Sequence, residues 1–407
     1  MATAADSPAP TAATPGREPA SAAVFDTPTI LAVSGAHLVH DTYPAFIGVL
    51  LPLLIPALGI SLTVAGLLAA TFRVATAVQP VLGHIADRAD TRYWIVLAPG
   101  ATAIAISLLG VAPSPAVVAL LLALAGLSSA VFHPAAAALV TRSSGTEWGR
   151  GTSIFMTGGE SGRALGPLAI AVVLSTVGLA GSWIALVPGV LASGVLLVRV
   201  ARRAELPLRQ PVGSIREGLR EARRPFLLVS AASALLSFST SGLLVFIPTY
   251  LTGAGAGLLL AGAAVAVFEI GGAVGAFSGG TMSDRIGRRP TFAVAVAGAV
   301  PLVVALALPA GPAILPFLAV AGGLLLSAGP VELVLMQELL PRNRSTAVGL
   351  SIFVTTVATA LGSIVVGALG EAIGLHGALL LAAGAAFLAL PFIALLPETR
   401  HVSREAT

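Results

Sequence analysis

From Thr29 onward the chain is a succession of apolar stretches, separated by brief connections rich in polar residues, Gly or Pro. A helix that crosses a bilayer needs about 20 apolar residues. At that length the pattern predicts spans at 29–57, 62–82, 93–112, 115–140, 149–177 and 181–200, and a second set at 226–251, 257–281, 291–310, 313–338, 346–371 and 377–396. One extended polar stretch, Ala201–Arg224, lies between the sets; it holds Pro207, Pro211 and an amphipathic run from Ile215. Residues 1–27 are rich in Ala, Pro, Thr and Ser and are expected to be a disordered tail. They lack the basic segment followed by a short apolar core that marks a signal peptide. The expected organisation is therefore all-α: a tail (1–27), a six-helix bundle (28–200), a linker (201–225), a second six-helix bundle (226–398) and a short tail (399–407).

Composition removes the alternatives. Of 407 residues 56% are apolar and only 10% charged, with a mean hydropathy of +0.97. A soluble domain carries roughly 25% charged residues, so the solvent of this chain is mostly lipid. With no cysteine there is no disulfide framework, thiolate metal site or cysteine nucleophile. The net charge of +4 is spread along connections and forms no basic surface for a nucleic acid. All 22 basic residues are Arg, so a Walker-type Gly-Lys-Ser/Thr loop is absent and ATP-driven pumping is not expected.

Arginine placement orients the spans. Twenty of the 22 lie in, or at the edge of, the tails, the linker or the even-numbered connections. The odd-numbered connections Leu58–Ser61, Ala112–Pro115, Thr252–Gly257 and Pro309–Pro312 carry none. Basic loops stay cytoplasmic, so both termini are expected inside a multi-pass protein of the plasma (inner) membrane. The two sets also repeat: Gly83-His-Ile-Ala-Asp87-Arg88 returns as Gly280-Thr-Met-Ser-Asp284-Arg285, and Gly151-Thr-Ser-Ile-Phe-Met-Thr157 as Gly349-Leu-Ser-Ile-Phe-Val-Thr355. Parallel six-helix repeats predict two bundles with a site between them near mid-depth.

On these residues the chain resembles the major facilitator superfamily of secondary transporters, from the first span to the last. The family's loop motif, Gly-x-x-x-Asp-Arg-x-Gly-Arg-Arg/Lys, fits Gly280–Arg289 fully; the copy at Gly83–Arg92 has Asp90 where glycine is usual. His37-Leu-Val-His40-Asp41-Thr-Tyr43, Val131-Phe-His133-Pro134 and Ser153–Gly159 through Gly166-Pro167 are similar to the fosmidomycin-resistance branch of drug efflux proteins. Gly162-x-x-x-Gly166-Pro167 resembles the antiporter motif of drug exporters. In the span-four motif of proton-coupled members, Gly126 is kept but Leu122 stands where Arg is usual. The resemblance implies a monomer that exchanges protons for a small drug-like molecule, such as an anionic one, without a cofactor; the alternative is proton-coupled uptake or export of a metabolite. It also implies gating by Gly83, Asp87, Arg88, Gly280, Asp284, Arg285, Gly162, Gly166 and Pro167, with the Asp-Arg pairs holding the bundles in the outward-facing state.

Ionisable residues inside spans are the candidates for chemistry, because a charge at mid-membrane costs about 2.5–3.5 kcal/mol on insertion scales and must face a partner or a polar cavity. Proton-coupling candidates are Asp41, tuned by its neighbour His40, with Glu160, Glu269 and Glu332. Substrate contacts are expected from His37, Tyr43, Arg73, His133 and Arg163. His37 and Asp41 share a helical face at i, i+4. Asp41 is either a proton carrier or one member of a static buried pair. Glu160 and Arg163, at i, i+3, either neutralise each other or leave Arg163 to join Arg73 as a clamp for a phosphonate or carboxylate. Glu269 and Glu332 are open between a second proton site, a cation contact and a hydrogen-bonded structural role. His37, His40 and Asp41 would also suit an intramembrane metalloenzyme, but no His-Glu-x-x-His or Gly-x-Ser-x-Gly pattern accompanies them.

Overall fold

The computed structural model describes residues 25–86, 90–201, 223–339 and 344–397. The expected tails, most of the linker and the gating residues Asp87 and Arg88 lie outside them. The described residues form helices and no strand. Eleven helical segments are long and apolar enough to cross a membrane. A twelfth, span five at Trp148–Val177, has the length but carries Arg150, Glu160 and Arg163.

Several spans expected to be continuous are broken. Span one is Thr27–Thr42 followed by Phe46–Leu58, because Pro44 brings no N–H to the ladder at the join. Span two is Leu62–Thr76 and Gln79–Ala86, the latter containing Gly83. Span three, Arg92–Ser107, ends in a 3₁₀ turn; span four is Pro115–Ser143; span six is a 3₁₀ turn, Leu179–Ala185, leading into Leu186–Arg199. In the second half, span seven is Arg223–Gly253, span eight Leu258–Ile286 and span nine Arg288–Val296 with Ala299–Ala307. Span ten is Leu315–Leu326 with Ala328–Leu339, span eleven Arg344–Ile373, and span twelve begins at Leu375. Spans eight and nine meet at Gly287, whose φ of +105° is open to glycine but strained for other residues. The turn lets Arg288 donate to Asp284 (2.5 Å), Ser283 (2.7 Å) and Glu338 of span ten (3.2 Å), ties that stay inside the second half. Arg285 is exposed on the same turn. In the first motif copy, the hydrogen bond from Arg92 (2.6 Å) holds the exposed Asp90 carboxyl below the ordinary carboxylate range.

Burial follows a lipid solvent. Large apolar side chains point outward, among them Phe277 at 85% exposure, while the half-cores bury Phe132, Phe246, Phe268 and Phe292. Small residues set the helix spacing. A Cβ at Gly158, Gly162 or Gly166 would overlap the carbonyls of Ser34, Leu38 and Thr42, so span five lies flush on span one. Spans eight and ten meet in the same way through Gly271, Gly275 and Gly279.

The halves meet along a seam. Gly48 lies against the Leu244 carbonyl, Gly66 against Ser363, Gly262 against Pro167 and Gly367 against Leu62. These approaches sit toward the face where spans one and two join. The seam is therefore shut on that face, and a cavity lies inward of it, toward the face where span one begins.

Candidate functional site

The cavity between the halves has a volume of about 290 Å³. Its wall takes Asp41 from span one, Arg73 from span two, His133 from span four and Arg163 from span five, and from the second half Glu269 and Thr356. Five of the ionisable residues picked out from sequence thus converge on one chamber.

Asp41 lies between two imidazoles. His133 Nε2 is 3.2 Å from Asp41 Oδ1, in hydrogen-bond geometry, and His37 Nε2 is 3.3 Å from Oδ2, at ion-pair distance. The other ring nitrogens are already used: His37 Nδ1 is 2.9 Å from the Phe155 carbonyl, and His133 Nδ1 is 2.9 Å from the Ser129 carbonyl. A carbonyl oxygen only accepts, so both Nδ1 atoms donate. A neutral imidazole then has a bare Nε2. Two bare nitrogens facing a carboxylate repel it, so the His133–Asp41 hydrogen bond requires an added proton.

His40 is not part of this contact. Its ring is fully buried and stacked on Phe132 at a centroid distance of 4.4 Å, and neither nitrogen has a hydrogen-bond partner among the described residues. The reason is helical pitch: consecutive residues point about 100° apart, whereas i and i+4 share a face. The imidazoles beside the Asp41 carboxylate are those of His37 and His133, in place of the expected His40. Tyr43, expected as a substrate contact, also stands away from the chamber. It is buried and lines no part of the cavity; its hydroxyl donates to the Ala185 carbonyl (2.8 Å) and accepts from Gly189 N–H (2.9 Å), fixing the break in span one against span six. His37 stands behind Asp41, 3% exposed.

The two arginines differ. Arg163 bonds Glu160 on its own helix, and its Nε is 3.6 Å from Glu269 Oε2 in the other half. Arg73 faces the cavity beside the Phe72 ring, with no ion-pair partner among the described residues. The expected two-arginine clamp is therefore one open guanidinium and one held between carboxylates. Glu332 is set apart: buried between spans ten and eleven, it accepts from the Ser351 hydroxyl and does not line the chamber.

Sequence reasoning missed Gly159, which leaves room for the His37 ring against Asp41. Its signal was the glycine run of span five. His37, Asp41 and His133 also bring one donor atom each within 4.8 Å of one another, two nitrogens and an oxygen. The grouping that could hold a cation thus includes His133 rather than His40.

A sequence profile of the Major Facilitator Superfamily matches residues 34–331. The chain belongs to the Major Facilitator Superfamily. This makes it a multi-pass membrane transporter, and the enzyme alternative falls with that assignment. Within the superfamily it is 29% identical over 368 residues to the uncharacterized MFS-type transporter YfnC of Bacillus subtilis, covering 86% of this chain and 88% of that one. It is 27% identical over 388 residues to the fosmidomycin resistance protein of Escherichia coli, covering 91% and 93%. Among solved structures, a bacterial homolog of the human lysosomal transporter Spinster, in an inward-facing and unoccupied conformation, superposes with a TM-score of 0.77 at 16% identity over 91% of this chain and 97% of that one. The nucleoside transporter NupG gives 0.72 at 14% identity, covering 90% and 98%. At such identities these two show the shared fold.

Proposed function

We propose that this transporter is a proton-coupled efflux carrier for a small anionic, drug-like molecule, working by alternating access, and that the structure is its inward-facing state. The observation that carries the reading is the Asp41 carboxylate in the chamber wall, hydrogen-bonded to an imidazole whose other nitrogen is committed to a backbone carbonyl. As a hydrogen bond that contact needs a proton on it, and the chamber is where a carrier would load or release one. Arg73 supplies an open guanidinium for a phosphonate or carboxylate oxygen pair. The arginine-rich connections support a reading in which the open face is toward the cytoplasm. Export is supported by the span-five Gly162–Pro167 pattern and by the similarity to a fosmidomycin resistance protein.

One observation favours a second reading, proton–anion symport. Protonating the site removes negative charge beside Arg73, so a proton and an anion help each other to bind. Flux in proteoliposomes decides between them, with fosmidomycin and other small phosphonates as probes. Antiport accumulates the anion when the vesicle interior is acidic, symport when the exterior is. Asp41→Asn should abolish gradient-driven flux in either case while keeping substrate exchange, because an amide N–H can donate to His133 without an added proton. Full gradient-driven flux in Asp41→Asn overturns the proton site.

A further inference from the structure

Glu371 is placed against its own helix. It lies in the last turn of span eleven, where unsatisfied carbonyls leave a partial negative charge, so a carboxylate there opposes the local dipole. Its partners are in the other half. Oε2 accepts from the Thr63 hydroxyl at 2.5 Å and from the Thr63 backbone N–H at 3.3 Å. Thr63 is the second residue of span two, just after the Ser61 N-cap, where free N–H groups carry partial positive charge. The carboxylate is thus disfavoured where its own helix ends and favoured where the neighbouring helix begins, and it reaches the second site only while the halves touch.

The surroundings make the contact directional. Behind it the seam is flush, with Gly66 on the Ser363 carbonyl and Gly367 on the Leu62 carbonyl. The pseudo-symmetric seam between spans five and eight closes through Gly262 on Pro167, but the equivalent positions there are Val173 and Leu259, both apolar. Among the described residues the polar fastening at this outer position is present on one of the two related seams; the polar tie of the other, Arg163 to Glu269, lies in the chamber wall.

We infer that Glu371 is a latch: by capping span two across the seam, it holds the carrier shut on the face opposite the chain ends and sets the balance between the two facing states. This rests on the transport reading only in requiring two such states; neither substrate nor proton enters it.

The chain has no cysteine, so spin labels can be placed on an otherwise natural background. Val111→Cys with Ala254→Cys reports the latched face, and Thr146→Cys with Ile286→Cys the opposite one; distances are measured by double electron–electron resonance without substrate or pH gradient. Glu371→Ala and Thr63→Val should each lengthen the first distance and shorten the second, with a several-fold rise in the population open on the latched face. Glu371→Gln, which keeps an acceptor but no charge, should fall between. Glu147→Gln, at an exposed glutamate paired with Arg150, should move neither distance. Two results would overturn the latch: unchanged distances in both Glu371→Ala and Thr63→Val, or simultaneous broadening of both pairs with a lowered thermal midpoint, which marks local damage. Because the measurement needs no transport, its outcome is independent of the proton and substrate assignments.

Discussion

Gly159 is the sharpest place to test the proton site without touching its chemistry. An added Cβ there would sit 2.5 Å from His37 Cε1, 2.6 Å from Nε2 and 3.1 Å from Asp41 Oδ2, whereas ordinary contact begins at 3.4 Å. In Gly159→Ala the His37 ring must therefore retreat by about 1 Å. It has nowhere to go: Nδ1 donates to the Phe155 carbonyl at 2.9 Å, and the ring is stacked on Phe155 at 4.0 Å and tilted against Phe132 at 5.8 Å. A retreat of that size takes the 3.3 Å Nε2–Oδ2 distance out of ion-pair range while leaving the His133–Asp41 bond in place. Overpacking costs about 1–3 kcal/mol, and a buried carbonyl left unpaired if the ring swings away adds roughly 1–3 kcal/mol. Gly159→Ala should accordingly lower the thermal midpoint in detergent and reduce gradient-driven flux. His37→Ala makes room, so the double variant Gly159→Ala/His37→Ala should be no less stable than His37→Ala alone, a coupling equal to the whole cost of the glycine change. A single variant with a wild-type midpoint and flux, or additive costs in the double, would refute the packing argument.

Arg73→Ala should raise KM for anionic substrates tenfold or more, since a charged hydrogen bond is worth about 1.5–3 kcal/mol, and should leave uncharged analogues unaffected in the same flux assay. Tyr43→Phe strands a buried carbonyl and N–H, so the thermal midpoint should fall while KM stays put; a KM change would return Tyr43 to the substrate site. Glu332→Gln keeps an acceptor for Ser351 and lies off the chamber, so gradient-driven flux should persist; its collapse would place Glu332 on the proton path.

The architecture was readable because lipid leaves few choices: hydropathy marks the spans, arginine-free connections alternate with basic ones, and repeated motifs separate the halves. The chamber was partly readable for the same reason, since Asp41, Arg73, His133, Arg163 and Glu269 gather where partners or a polar cavity meet them, while Glu332 and His40 are buried elsewhere. Pairing was harder. Helix pitch joins His37 to Asp41, but His133 arrives from another helix 92 positions along the chain, and only packing brings it there. Adjacency in sequence drew attention to His40, which points the other way. The break after Thr42 was hidden because the hydropathy continues through it; Pro44 was its only local sign. Glu371 stood at a helix end, where a charge is unremarkable in sequence, and its meaning depends on a helix start more than 300 positions earlier.

Arg163 would give the proposed proton site a way to influence the seam. Its guanidinium lies between Glu160, carried on the same helix, and Glu269, carried on the other half, and it shares the chamber with Asp41. Spans five and eight must part for the closed face to open, because Gly262 rests directly on the Pro167 carbonyl. Glu160 moves with Arg163 in that step and Glu269 does not. Arg73, the other cation in the chamber, also belongs to the first half. Opening therefore takes from Glu269 its Arg163 partner, and a carboxylate so little exposed is penalised by desolvation unless a new partner arrives. The transition is favourable only if water, a proton or a cation reaches Glu269 as the halves separate. The charge state of the chamber and its facing direction would thus be parts of one equilibrium, and under the proposed coupling a proton gained or lost at Asp41 would shift it through the field at Arg163.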